Sequence, residues 1–305
     1  MKPIFISDTI YLKHNLPKHP ESKDRLISIL KEIEDLKDNL TFEKPIKATK
    51  DKLLLIHSKS HIENIKEAVL KEEYLDADTY TTKDSYDVAL YAVGAGIKAI
   101  DLIKDKKAKF AFCAIRPPGH HATPNKAMGF CLFNNIAIAA RYAQLQGYKR
   151  VFIIDFDVHH GNGTQDAFYS DNSVFYFSTH QAFAYPGSGN PDETGAGDGI
   201  GYTYNHPLMP NSTDKELLEV YQEELPPLIE KFNPDIILVS AGYDLHESDP
   251  LAMLDITHKG IKSMVEIILN QKPDIPKIFF LEGGYEIISL AKNVKLTLLA
   301  MIDKS

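Results

Sequence analysis

Along the chain, short apolar runs rich in Val, Ile and Phe alternate with longer segments whose apolar residues recur every three to four positions. Runs of the first kind, at 110–115, 151–154, 174–177, 236–240 and 278–281, read as strands. Their lack of apolar/polar alternation predicts burial on both faces. Segments of the second kind, at 85–104, 135–146, 215–231 and 258–270, read as helices. The first of these starts behind Asp84 and carries Ala89, Val93, Ile97 and Ile100 on one stripe, an apolar face suited to a sheet. Strands alternating with helices predict a doubly wound α/β fold on a mostly parallel sheet with helices on both faces. No Pro/Ser-rich linker, repeat or low-complexity tract divides the sequence, so residues 1–305 are expected to form a single domain.

Each predicted strand runs directly into polar residues. The segments that follow are RPPGHHA (116–122), DFDVHHGNG (155–163), STHQ (178–181), AGYDLHESDP (241–250) and EGGY (282–285). In an open parallel sheet these segments emerge at one edge, where ligands bind beyond the carboxyl ends of the strands. A lone His or Asp at such a place is usually a turn or cap residue. Five segments converging on one edge predict a site.

Composition narrows the class of that site. With 305 residues, 44% of them hydrophobic and 25% charged, the chain can bury a large core. A net charge of -8 and no basic stripe exclude nucleic acid as an obligate partner, while leaving a cationic substrate compatible. No apolar run reaches the roughly 20 residues of a membrane span. The opening MKPIFISDTIYLKHN interrupts its apolar residues with Asp8, Lys13 and His14, unlike the core of a signal peptide, and a cytoplasmic protein is expected. Cys113 and Cys131 stand among apolar neighbours and read as packed thiols. An oligomer is compatible with all of this.

Asp155, Asp157 and His159 alternate, so on an extended chain they share one face. Two carboxylates beside a core strand demand a cation, and no Lys or Arg lies nearby in sequence. A divalent metal answers that demand, with Asp157, His159 and Asp244 as ligands and one position left open for water. Such a ligand set suits Zn2+, Fe2+ or Mn2+. A metal of this kind acidifies water and polarises a carbonyl, which points to hydrolysis. His120 and His121, held by the rigid Pro-Pro-Gly turn, supply a base for the water and an acid for a leaving amine. Asp155 and Asn162 are the expected partners that orient the two rings. Tyr285, behind Gly283 and Gly284, is placed to donate a hydrogen bond to the oxyanion.

Taken together, RPPGHHA, GFCLFNN, DFDVHHGNGTQ, FSTH with YPGSG, SAGYD with DPLA, and LEGGY resemble the zinc-dependent histone deacetylase and acetylpolyamine amidohydrolase family, in its class II wording. The resemblance runs from HPESKDR (19–25) through DTYTTKDSYDVAL (78–90) to LEGGY, nearly the whole chain. It implies an arginase-like α/β fold, Zn2+ on Asp157, His159 and Asp244, His121 as general base and acid, His120 as its electrostatic partner, and Tyr285 polarising the carbonyl. It also implies K+ near the metal, using Asp155, Asp157, His159 and the Ser178 region. A narrow channel is implied between Gly129 and Phe130 on one side and Tyr185 on the other, with Asp78 at the rim holding the substrate backbone. Asn162 replaces the aspartate of class I members, and Leu251 stands where polyamine-selective relatives carry an acid.

The leading expectation is therefore a zinc amidohydrolase acting on acetyl-lysine in a peptide or on an acetylated small amine. An acetylpolyamine or other metabolite deacylase fits the acidic balance but not Leu251. A non-catalytic acyl-lysine binding protein is disfavoured by the intact His121, Tyr285 and metal triad. A binuclear manganese hydrolase of the arginase type would need more carboxylates than Asn162 leaves. His14, His19 and Arg25 are read as capping the first helix, with a substrate lid as the alternative.

Overall fold

The computed structural model describes residues 1–305, and its core is one eight-stranded sheet in which every pairing is parallel. The strands are β1 (Ile4–Ile6), β2 (Thr41–Glu43), β3 (Phe110–Cys113), β4 (Val151–Asp155), β5 (Val174–Gln181), β6 (Thr203–Leu208), β7 (Ile236–Ala241) and β8 (Lys277–Leu281). They lie in the order β2-β1-β3-β8-β7-β4-β5-β6. Every residue of β3, β4, β5, β7 and β8 is buried. Since neighbouring residues face opposite ways, both faces of these strands are covered, as their continuous apolar runs require. The buried apolar side chains form one cluster of 83 residues, so the chain has a single core.

The five strands expected from the sequence are consecutive in the sheet, from β3 across to β5. Their ends are nearly level: Asp155 pairs in register with both Ser178 and Ser240, and Ala241 with Leu281. Three strands were not anticipated. β1 and β2 have only three residues each, and β6 (TYNHPL) is polar because it is an edge. Pro207, lacking an N–H, is tolerated there.

Helices Ser85–Lys104 and His258–Asn270 have the bounds their periodicity predicts, and Asn135–Leu145 stops one residue earlier. The segment expected as one helix over 215–231 is instead Asp214–Glu219, a π turn over Val220–Glu224, and Leu225–Phe232. Pro226 and Pro227 explain the break, because neither can donate to the preceding turn. Helices Lys23–Glu32, Lys59–Lys71 and Ile287–Asp303 complete the cover. No helix is long and apolar enough to cross a membrane.

Candidate active site

The loop after β4 leaves extended geometry at Phe156 and bends over 157–159. Strict alternation from Asp155 to His159 therefore fails, and the bend divides the residues between two tasks. Asp157 and His159 meet Asp244, from the loop after β7, with one ligand-type atom of each within 4.8 Å of the others. Asp155 stays behind, its Oδ2 within 3.1 Å of His120 Nδ1 and accepting from the Tyr176 hydroxyl at 3.2 Å.

The three-residue group is closely walled. Gly283 donates its N–H to Asp157 Oδ2 at 2.7 Å, and Val158 donates to Asp244 Oδ1 at 3.0 Å. A Cβ on Gly283 would collide with both carboxylates, and one on Gly242 would collide with Asp157. Asp244 Oδ2 lies 3.3 Å from His159 Nδ1, yet off the hydrogen-bond direction, so this buried oxygen has no donor. An unsatisfied carboxylate oxygen beside a second carboxylate is costly unless a cation completes the group. Burial alone would lower the His159 pKa, but Asp157 and Asp244 push it up to about 10. A divalent ion meets the same demand, and two carboxylates with one imidazole are ligands that Zn2+ accepts. The residues fit the group.

The turn RPPG brings His120 and His121 against this cluster, with ring centroids 4.0 Å apart. Asn162 opens the helix Asn162–Phe168; its Nδ2 donates to Met128 Sδ at 3.5 Å, which leaves Oδ1 facing His121 Nδ1 at 2.9 Å. His121 therefore carries its proton on Nδ1, and Nε2 keeps the lone pair. The two rings are driven apart in charge. Burial lowers His121, and the neighbouring His120 and His159 lower it further. Burial also opposes charge on His120, but Asp157 and Asp155 outweigh it and push its pKa up to about 10. Neighbouring titratable groups separated in this way mark acid and base roles.

Tyr285 follows β8. Its N–H donates to Asp249 Oδ2 at 2.6 Å, and the carbonyls on either side of Gly283 accept from Arg25, Gly284 O from Nε at 2.6 Å and Glu282 O from Nη2 at 2.5 Å. Burial holds the phenol well above its ordinary pKa, so it remains a proton donor. The Arg25 guanidinium stands 5.0 Å from the ring centroid.

Of these residues His120, His121, His159, Gly283 and Tyr285 line a cavity of about 430 Å³, together with Gly129, Phe130, Tyr185, Leu251 and Asp78. Gly129 has φ +55°, and a Cβ there would strike the His121 ring, so bare backbone forms that wall. Tyr185 stands edge-on to His121 at 5.0 Å, and Phe130 to Tyr285 at 5.8 Å. On this lining Asp78 is half-buried and Leu251 is exposed. Ser178 is the register partner of Asp155, with its hydroxyl paired to His180 Nδ1 at 2.9 Å.

The reading of His14, His19 and Arg25 as caps of the first helix is corrected: within this segment it is Asn15 Oδ1 that accepts the Lys23 N–H, at 2.9 Å. Ser22 is the N-cap of Lys23–Glu32 and makes no side-chain cap bond. His19 instead lines the cavity, its Nε2 donating to Asp78 O at 3.1 Å and its ring edge-on to Phe130 at 4.8 Å. Arg25 reaches the Tyr285 loop, and Glu21 bridges Arg25 and Arg116 in a fully buried network. Glu21 and Arg25 stand four apart, a spacing that signals a helical ion pair; nothing local in sequence reveals that this one is buried. Glu282 was also missed as a functional group, although it belongs to the EGGY motif.

Residues 19–301 match the histone deacetylase domain. The chain is 41% identical to histone deacetylase 10, chloroplastic, of Oryza sativa, across 95% of this chain and 71% of that protein. It is 37% identical to a probable deacetylase of Archaeoglobus fulgidus, across 91% and 79%. The crystal structure of the HDA15 HD domain superposes with a TM-score of 0.94 at 33% identity, covering 98% of this chain and 90% of that one. With its parallel sheet and the polar ends of five adjacent strands gathered at one edge, the chain belongs to the histone deacetylase family and is a deacetylase of that family.

Proposed function

We propose that the chain is a Zn2+-dependent amidohydrolase that removes the acetyl group from acetyl-lysine in a peptide or from a closely related acylated amine. The observation that carries this reading is the grouping of Asp157 and Asp244 with His159, which lines the same cavity as His121 and Tyr285. A Zn2+ ion held by those three residues would supply an acidified water and a Lewis acid for the amide carbonyl.

The chain's own groups supply the rest. His121 Nε2, with its lone pair free and its Nδ1 proton committed to Asn162, takes a proton from the attacking water and delivers it to the departing amine. His120, held by Asp155, keeps a positive charge beside that exchange. The Tyr285 hydroxyl donates to the carbonyl oxygen as charge develops on it. Phe130 and Tyr185 exclude water along an extended aliphatic stem, and Asp78 receives the substrate backbone at the rim. K+ remains part of the proposal on resemblance. Asp155, Asp157, His159 and the Ser178 region would hold it, Ser178 being the register partner of Asp155.

The reading is tested by loading the purified protein with Zn2+ and comparing acetate release from an acetyl-lysine peptide and from acetylated spermidine, with Tyr285→Phe as the blank. Faster peptide turnover is expected, since Leu251 offers no charge to a polyamine. Faster polyamine turnover would make Asp76 and Asp78 the cation readers. No release above the blank from either would overturn the proposal.

A further inference from the structure

Beside the channel mouth lies an apolar shelf that the deacetylation chemistry does not use. Phe183 is 90% exposed, Met209 58% and Met253 59%. They come from three segments laced together. Ala182 N–H donates to Leu208 O at 2.7 Å, Met253 N–H to Gln181 Oε1 at 2.6 Å, and Asn211 N–H to Met253 O at 2.6 Å. Phe183 stands two residues before Tyr185 and Met253 two after Leu251, and both of those line the mouth. The shelf is thus joined through the chain to two residues of that lining.

Phe183 combines two unfavourable features. Its φ is +63°, a left-handed conformation that a bulky L-residue adopts at a cost, and its ring stands almost wholly in water. Strain and exposure at one residue beside a substrate channel point to a ligand that covers it. Another part of the border has the opposite character. The loop 74–79 carries Asp76 and Asp78; Asp76 Oδ1 accepts from the N–H groups of Asp78 and Thr79, and the loop is tied to the channel wall through His19 and through Phe130 N–H to Thr79 Oγ1 at 3.0 Å. A small acetylated amine would fill the channel and leave the apolar shelf unused.

We infer that the mouth selects an extended acyl-lysine peptide, seating an apolar or aromatic side chain adjacent to the acylated lysine on Phe183, Met209 and Met253, with a basic residue set against Asp76 and Asp78. This inference rests on the proposed function and deepens it. The aliphatic stem enters between Phe130 and Tyr185. The next side chain of the peptide emerges at the shelf, and the acidic border supplies the complementary charge.

The test compares acetyl-lysine peptides carrying Phe or Ser immediately before or after the acylated residue, and free acetyl-lysine, on the full chain and on Phe183→Ser/Met253→Ser. Both kcat/KM and binding by fluorescence anisotropy are read. An advantage of about tenfold for a Phe-flanked peptide is expected, the scale of one apolar side chain entering a pocket. It should fall to about twofold or less in the double variant while turnover of free acetyl-lysine is unchanged. Equal rates for Phe and Ser peptides, with acetyl-lysine still turned over, would overturn the shelf alone. Phe-dependent binding without turnover would keep the shelf and overturn the deacetylase reading. A double variant that changes only the elution volume would make the shelf a contact between two copies of the chain and overturn its role in substrate choice.

Discussion

The Glu282 carboxylate accepts the backbone N–H of Gly119 at 2.6 Å, across 163 positions of sequence, and through the same Oε2 takes the N–H of His120 at 3.2 Å. Glu282 also begins the loop that carries Tyr285. One buried side chain therefore fixes the loop of the proposed base relative to that of the proposed oxyanion donor. Glu282→Gln keeps an acceptor oxygen and is expected to fold while losing up to about 10²-fold in kcat, the scale of a misplacement of about 1 Å. Glu282→Leu leaves two buried backbone donors unpaired, besides the Ser240 hydroxyl that reaches Oε1 at 3.4 Å, and the two backbone groups alone should cost about 2–6 kcal/mol in urea unfolding, at about 1–3 kcal/mol each. Full activity in Glu282→Leu would show that the two loops are positioned independently.

Separating metal retention from chemistry needs two variants. Asp157→Ala removes a ligand and is expected to lose both bound zinc, measured by plasma emission after dialysis, and turnover. Tyr285→Phe should retain the zinc and lose about 10²–10³ in kcat, the range for deleting one oxyanion donor. Activity surviving both changes would refute the mechanism.

Glu21 makes stability depend on acid. Burial would raise its carboxyl, but the guanidinium of Arg116, assisted by Arg25, holds it down at about 2. In the unfolded chain it returns to the ordinary value near 4.5. Between those values the unfolded state binds the extra proton, so stability present above pH 4.5 is lost as the pH falls toward 2. Denaturation in urea at pH 6, 4 and 3 should show this slope, and Glu21→Gln should flatten it. The variant should also lose about 3–5 kcal/mol at pH 6, because two buried cations lose their partner.

Lys277 acts in the opposite direction. Buried in β8, its Nζ donates to Lys272 O and Ile275 O, both at 3.3 Å, and burial pulls its pKa down to about 7. The unfolded chain, with its lysine near 10.5, binds more protons across that window, so this residue's contribution to stability rises from pH 7 to pH 10.5. Lys277→Met is expected to raise the unfolding midpoint at pH 6 and to remove this rise.

Much of this molecule is legible in its sequence because strands buried on both faces cannot hide: 151–154 and 236–240 are nearly pure apolar runs. The chemistry is legible because each run stops abruptly at charge. The unread parts have physical causes. β6 has an open edge and so carries Asn205, His206 and Pro207 instead of an apolar run. Helix Ile287–Asp303 packs against both Lys23–Glu32 and His258–Asn270, so apolar residues occupy several of its faces and blur the period. Arg25, Arg116 and Glu21 look like surface charges until the fold encloses them. Asp155 and Asp157 look equivalent until the chain bends between them.

The sheet ends in β2 on one side and β6 on the other. β2 offers three residues and is followed by Lys44 and Pro45; β6 holds a proline within it. Neither presents the long, flat row of free N–H and C=O groups that recruits further strands into fibrils. An open eight-stranded sheet is thereby protected from templating its own aggregation. Any association between copies of this chain is left to side-chain patches, which one or two substitutions can abolish.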